Sequence, residues 1–160
     1  MRVAILTISD AGSRGERADT SGDAAAAWVV SQGATLVARA IVPDESVQIV
    51  KHLIGWCDGR DVDLVLTTGG TGLSPRDITP EATRAVIERE AQGIAERIRT
   101  ITGASFPRAA LSRGVAGIRN ETLIVNLPGS TNGVNESLAA FAPIAKHAVD
   151  ILTGATGDHA

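Results

Sequence analysis

A chain of 160 residues with 44% hydrophobic and 21% charged residues is long enough to bury a core and too apolar to stay disordered. Its formal net charge of −3 gives no bulk attraction to nucleic acid or to anionic membranes, and its few aromatics (Trp28, Trp56, Phe106 and Phe141) do not make a base-stacking platform. Cys57 is the only cysteine, which rules out an intramolecular disulfide and fits a reducing compartment; with no signal-like or membrane-spanning segment, the chain reads as cytoplasmic.

Val3 to Ile8 is a β-branched-rich apolar run, as expected of a buried strand. The polar loop "SDAGSRGERADTSGD" follows; at fifteen residues it is long enough to be functional. A helix is expected from about Asp23 to Gln32, closed by Gly33, then a strand over Ala34–Val42. Pro43-Asp44-Glu45 opens a second helix, with Val47, Val50, Leu53, Ile54 and Cys57 on one face and Asp58-Gly59 at its end. Cys57 on that face reads as core rather than nucleophile. Val62–Leu66 is a third strand, and "TTGGTGLSPRDITPEAT" leaves its carboxyl end.

Thr79-Pro80-Glu81 has the form of a helix start, with Thr79 as N-cap and Pro80 at the first helical position. This helix is expected to pause near Gly93 and resume with Ile94, Ile98 and Ile101 on one stripe. "SFPRAALSRGVAGIRN" carries no clear period. "ETLIVNLPGS" is a strand ended by Pro128-Gly129, and a long helix follows from Val134, which Pro143 should kink or split. Residues 1–154 form one domain in this reading, with 155–160 a frayed tail. Strands alternating with helices predict an α/β domain with a mostly parallel sheet, whose ligands bind beyond the carboxyl ends of the strands. Three unusual loops occupy such ends, after Ile8, Leu66 and Leu127.

Gly69, Gly70 and Gly72 let successive amides face one concavity, an anion nest, although neither the Walker A pattern nor G-x-G-x-x-G is present. Asp77 beside such a nest makes electrostatic sense if a cation lies between them. Mg²⁺ favours one or two carboxylates together with substrate phosphates, and Arg76 is placed to reach phosphate. The structural alternatives are a tight turn and a surface Arg76–Asp77 pair. Asp44, taken alone, reads as a helix N-cap. Ser130, Thr131 and Asn132 are all capable caps. Ser9, Asp10, Asp19, Thr20 and Ser21 are polar candidates in the first loop, where Arg14 and Arg17 read equally as phosphate contacts or as a solvated surface. His52 and His147 lack metal-ligand spacing, and His159 lies in the tail.

Taken together, "TISD…GERADTSGD", "VPDE", "TTGGTGLSPRDITPEAT" and "LSRGVAGIRNETLIVNLPGS" resemble, in order and over nearly the whole chain, the MogA/MoaB family of molybdenum-cofactor biosynthesis, shared with the related domain of gephyrin. The resemblance implies a three-layer α/β sandwich around a mostly parallel sheet. It implies a molybdopterin adenylyltransferase that moves AMP from Mg-ATP to the molybdopterin phosphate and releases pyrophosphate. It also implies a homotrimer or hexamer and a MoeA-type partner that takes the product. Carried over by motif, Asp77 and Asp44 match the family's two functional aspartates, and both are expected to hold Mg²⁺, directly or through water. Thr68, Gly69, Gly70, Thr71, Gly72 and Arg76 take the nucleotide phosphates. Ser9, Asp10, Ser21, Ser112, Pro128, Gly129 and Ser130 take the pterin. Thr131-Asn132 departs from the Pro that many relatives carry after "LPGS". The alternative within the same family is a non-enzymatic molybdopterin-binding scaffold; outside it stands an enzyme acting on another nucleotide.

Overall fold

The apolar runs at the start of the chain, after Asp61 and after Glu121 become neighbouring parallel strands. A computed structural model describes residues 1–155. Its sheet contains β1 (Arg2–Ile8), β2 (Thr35–Val42), β3 (Leu64–Thr68), β4 (Arg89–Glu90), β5 (Ala116–Arg119) and β6 (Thr122–Leu127) in the order β2-β1-β3-β6-β5-β4. The four strands from β2 to β6 are parallel, whereas β5 runs antiparallel to β6 and β4 antiparallel to β5. The expected mostly parallel sheet is therefore present.

Helices cover both faces, which is why the central strands are apolar on both sides. Val3, Ile5, Leu64, Leu66, Leu123 and Val125 pack with α2 (Thr20–Ser31), α5 (Gln92–Ser105) and α6 (Thr131–Leu152). The alternate residues Ala4, Leu6, Val65 and Ile124 pack with α3 (Ser46–Asp58) and α4 (Thr79–Arg84). The chain leaves β1 to build β2 on one side and then crosses to β3 on the other. The point between β1 and β3 is thus a topological switch, where α/β sheets open a crevice. Among the described residues no helix is long and apolar enough to cross a membrane.

Several local expectations are corrected. The first loop is shorter than its polar composition suggests: Ser9 caps the one-turn helix α1 (Asp10–Ser13), and Asp19 caps α2, which starts at Thr20 rather than Asp23. Val47 is 75% exposed, because the buried stripe of α3 is Ile49, Leu53 and Cys57; Val47 lies about 120° round the helix from Leu53. The interruption expected near Gly93 comes earlier. After α4 the backbone is captured by the sheet edge, where Glu88 N donates to Ile118 O at 2.8 Å and Ala91 N to Ala116 O at 2.8 Å. The resumed helix buries Ala95, Ile98 and Thr102, and Ile101 is half-exposed. The last helix begins at Thr131 and runs unbroken through Pro143. One turn upstream of the proline, Ala140 O accepts from Arg97 Nε at 2.9 Å, a side-chain donor where the helical ladder is weakened. Of the expected tail, residues 156–160 lie outside the described residues.

Candidate functional site

The loops after β1, β3 and β6 meet backbone to backbone. Gly69 has φ +100°, and a Cβ there would sit 2.2 Å from the carbonyl oxygen of Ile8. Gly70 has φ +65°, and its Cβ would lie 2.3 Å from Thr79 Oγ1 and 3.2 Å from Asp44 Oδ1. Only glycine meets both the dihedral and the space at these positions. Thr79 does not cap α4, whose N-cap is Ile78; its Oγ1 donates to Gly69 O at 2.9 Å and its N to Gly70 O at 3.1 Å. Thr68 Oγ1 donates to Pro128 O at 2.8 Å and Gly69 N to Leu127 O at 3.2 Å, joining the glycine loop to the "LPGS" loop. Gly69 therefore uses its amide internally. The N–H groups of Gly70, Thr71 and Gly72 have no hydrogen-bond partner among the described residues, so the amides a phosphate would need are these three.

The acidic residues are arranged differently from expectation. Asp44 is not an N-cap: Glu45 holds that position, and its side chain makes no capping bond. Instead Asp44 Oδ2 accepts from Asp10 N at 3.0 Å, and Asp44 N donates to Asp10 Oδ1 at 3.0 Å. Arg76 is paired with Asp10, its Nη2 2.7 Å and its Nε 3.1 Å from Asp10 Oδ2. That guanidinium holds the Asp10 carboxyl below its ordinary range. Burial pushes the Asp44 carboxyl up, and the charges of Asp10 and Asp77 add to the rise. Asp77 Oδ2 accepts from Ser74 N at 2.9 Å. The Oδ1 atoms of Asp44 and Asp77 have no hydrogen-bond partner among the described residues. Two carboxylates, each with a free hard oxygen, beside free amides form a donor set that fits Mg²⁺ shared with phosphates. Among the described residues there is no cluster of three or more acidic, His or Cys ligands.

Two clefts of about 350 Å³ each open beside this arrangement. The first has apolar walls, with Ile98, Phe106 and Leu111 beside Arg99, Arg108 and Ser112. The second is polar, with Thr7, Ser9, Asp19 and Ser21 beside Asp44 and Thr68. Gly70, Asp77, Gly129 and Ser130 line both. The residues expected around the pterin are thus divided: Ser9 and Ser21 in the second cleft, Ser112 and Pro128 in the first, Gly129 and Ser130 in both. Asp10 and Arg76 line neither. Ser130 is also the N-cap of α6, its Oγ accepting from Gly133 N at 3.1 Å, and Thr131 Oγ1 donates to Thr20 Oγ1 at 2.9 Å. Arg17 lines the second cleft, whereas Arg14 pairs with Glu16 in solvent.

Residues 4–147 match the family model described as "Probable molybdopterin binding domain". The chain belongs to that family. It is 41% identical to the molybdopterin adenylyltransferase of Helicobacter pylori, covering 96% of this chain and 89% of the relative. It is also 41% identical to the enzyme of that name from Escherichia coli K12, covering 86% of this chain and 72% of the relative. Among solved structures, the molybdopterin biosynthesis enzyme MoaB of Thermus thermophilus superposes with a TM-score of 0.91 at 51% identity, over 96% of both chains. The family membership and the α/β sandwich anticipated from the motifs are thereby borne out.

Other parts of the site, Arg113, Asn126 and Arg39, escape sequence reasoning, whereas Asp19 is among the expected polar candidates. Arg113 N donates to Thr71 O at 2.8 Å, its Nε to Gly72 O at 2.7 Å, and its Nη atoms bond Asp77 O and Glu81. Asn126 is 6% exposed and donates to Thr67 Oγ1 at 2.9 Å and Thr83 Oγ1 at 3.0 Å, while its Oδ1 accepts from Val115 N at 3.2 Å. Asp19 accepts from Gly22 N, Thr7 Oγ1 and Arg39; burial pushes its carboxyl up, but these donors outweigh that and hold it low. Neither arginine stood out: Arg39 lies in a strand without a motif, and Arg113, although inside the "LSRG" stretch, has no neighbour in the sequence that points to its carbonyl partners. Cys57 is buried core as expected, its thiol pushed up to about 11 by burial.

Proposed function

We propose that this chain is a molybdopterin adenylyltransferase, transferring AMP from ATP to the phosphate of molybdopterin in molybdenum-cofactor biosynthesis. The observation that carries the reading is the shared wall of Gly70, Asp77, Gly129 and Ser130 between two clefts. A transfer between two bound substrates needs their reacting phosphates side by side, and a common wall supplies that adjacency. The reading places each substrate in one cleft with its phosphate at the wall.

The substrate phosphate oxygen forms a bond to the α-phosphorus of ATP as the bond from that phosphorus to the bridging oxygen breaks, and pyrophosphate leaves. No covalent enzyme intermediate is required, so alignment and charge neutralisation are the protein's tasks. The free amides of Gly70, Thr71 and Gly72 would accept the charge that develops on the phosphoryl oxygens. The amides at the start of α6, beside Ser130, favour a second anionic group. Asp44 and Asp77 would hold Mg²⁺, which when bound neutralises phosphate charge and orients the leaving pyrophosphate. Arg76 and Asp10 act on this site through Asp44 rather than by touching phosphate.

The same reading, supported by the family resemblance, takes residues 1–154 as one molybdopterin-binding domain in the cytoplasm. It includes a homotrimer, with a hexamer as the alternative, and delivery of adenylated molybdopterin to a MoeA-type insertion protein. The test is pyrophosphate release from ATP with molybdopterin present or absent, in Mg²⁺ and then in EDTA. Release that requires both molybdopterin and Mg²⁺ is expected. Tight molybdopterin binding with no release would make the chain a scaffold instead.

A further inference from the structure

We propose that Arg113 is a positioning residue for the transfer: by holding the carbonyls of Thr71, Gly72 and Asp77 from behind, it aims the free amide of Gly72 and the Asp77 carboxylate at the substrates. The inference rests on the function proposed above. Arg113 lines neither cleft, so it acts through the residues it holds.

In a trans peptide the C=O and the following N–H point in opposite directions. Arg113 N fixes Thr71 O at 2.8 Å, so the N–H of Gly72 is turned away from Arg113. Arg113 Nε fixes Gly72 O at 2.7 Å, which sets the next peptide plane in the same manner. Nη2 bonds the carbonyl of Asp77, the residue whose carboxylate faces both clefts. A glycine-rich loop has little intrinsic preference for one set of peptide orientations. Here one residue, through its backbone N–H and its side chain together, ties down both ends of the segment from Thr71 to Asp77.

The fork itself is held. Glu81, in the first turn of α4, accepts from Nη1 and again from Nη2 at 3.4 Å, so the guanidinium plane is set by a carboxylate on one side and two carbonyls on the other. Only a planar, five-donor group meets such a set of acceptors; an ammonium on a flexible stem would serve one or two of them at a time. Arg113→Lys therefore keeps the charge and the backbone N–H to Thr71 while releasing Gly72 or Asp77.

The test measures three quantities on wild type, Arg113→Lys and Glu81→Gln: melting temperature, Kd for Mg-ATP by calorimetry, and kcat and KM for pyrophosphate release. Well below the melting point, Arg113→Lys is expected to lower kcat by roughly 10- to 100-fold and weaken Mg-ATP about tenfold, with the KM for molybdopterin changed much less. Glu81→Gln, which keeps the arginine and the fold, is expected to show the same pattern at smaller amplitude. A lower melting temperature with wild-type kcat and wild-type Mg-ATP affinity in both variants would reduce Arg113 to a structural staple and overturn the proposal. If wild type releases no pyrophosphate, the adenylyltransferase reading falls, and the Mg-ATP affinities alone decide the role of Arg113. A wild type that binds no Mg-ATP overturns both.

Discussion

Asp10 and Asp44 each accept the other's backbone N–H, at 3.0 Å in both directions, while Arg76 grips the outer face of Asp10. The pair links the loop after β1 to the loop after β2 and fixes where the Asp44 carboxylate stands. Asp10→Ala removes the acceptor for Asp44 N and the partner of Arg76 together. Mg-ATP affinity should fall roughly tenfold, about the loss of one hydrogen bond to a charged group, with a small drop in melting temperature. Calorimetric titration with Mg-ATP checks this; unchanged affinity would mean that Asp44 needs no such support.

Asp44 carries a raised pKa, from burial first and from its acidic neighbours after it. An acid whose folded pKa lies above its unfolded value disfavours the fold once pH rises past the unfolded value, and the effect is complete above the folded one. Asp44→Asn keeps a carbonyl oxygen for Asp10 N and removes the charge. The variant should melt at a higher temperature than wild type near pH 7. The gap should close as pH falls below about 4, the ordinary Asp range. Pyrophosphate release should meanwhile drop by roughly 100-fold or more. Melting curves between pH 3.5 and 8, without Mg²⁺, test the sign.

Asp77 separates the same way between fold and chemistry. Its Oδ2 closes the turn to Ser74 N at 2.9 Å, which an amide oxygen reproduces, and its Oδ1 is free among the described residues. Asp77→Asn should leave the melting temperature within a few degrees of wild type and lower turnover by roughly 100-fold or more. Normal turnover in this variant would remove Asp77 from the site.

Gly69 is the strictest position in the loop. Alanine there brings Cβ to 2.2 Å from Ile8 O at φ +100°, and the obstacle is the Ile8 backbone. Gly69→Ala should cost about 3 kcal/mol or more, lowering the melting temperature by roughly 6–12 °C. Gly93→Ala, where nothing lies within 4 Å of the added atom, serves as the control and should leave it unchanged or slightly raised.

The strand-helix alternation and the three loops at one end of the sheet were legible because they rest on local signals: apolar runs, glycine clusters and prolines. Boundaries failed where tertiary contacts outbid local preference. Thr79 looks like a cap because of its neighbour Pro80, yet its hydroxyl is taken by Gly69 O ten residues away. The helix pause moved because β5 offers Glu88 and Ala91 better partners than another helical turn would. At the candidate site, the motifs single out Asp44, Asp77 and the glycines, but not the partner of Arg76, since Asp10 lies sixty-six residues away. Arg113 and Asn126 were missed for the same reason. Their roles are defined by backbone carbonyls and hydroxyls from other elements, and nothing in their own neighbourhood in the sequence records that.

A Cβ on Gly129 would lie 3.2 Å from the Cα of Gly69, so the walls of the two clefts touch without an intervening side chain. An occupant that pushes one loop toward the other at this contact presses on it directly. On the function proposed above, thermodynamic linkage makes the effect mutual: whatever factor bound ATP applied to the affinity for molybdopterin, molybdopterin would return to ATP. The order in which the two substrates of that reaction arrive would then be a matter of rates and concentrations, while the stability of their ternary complex would be the same by either route.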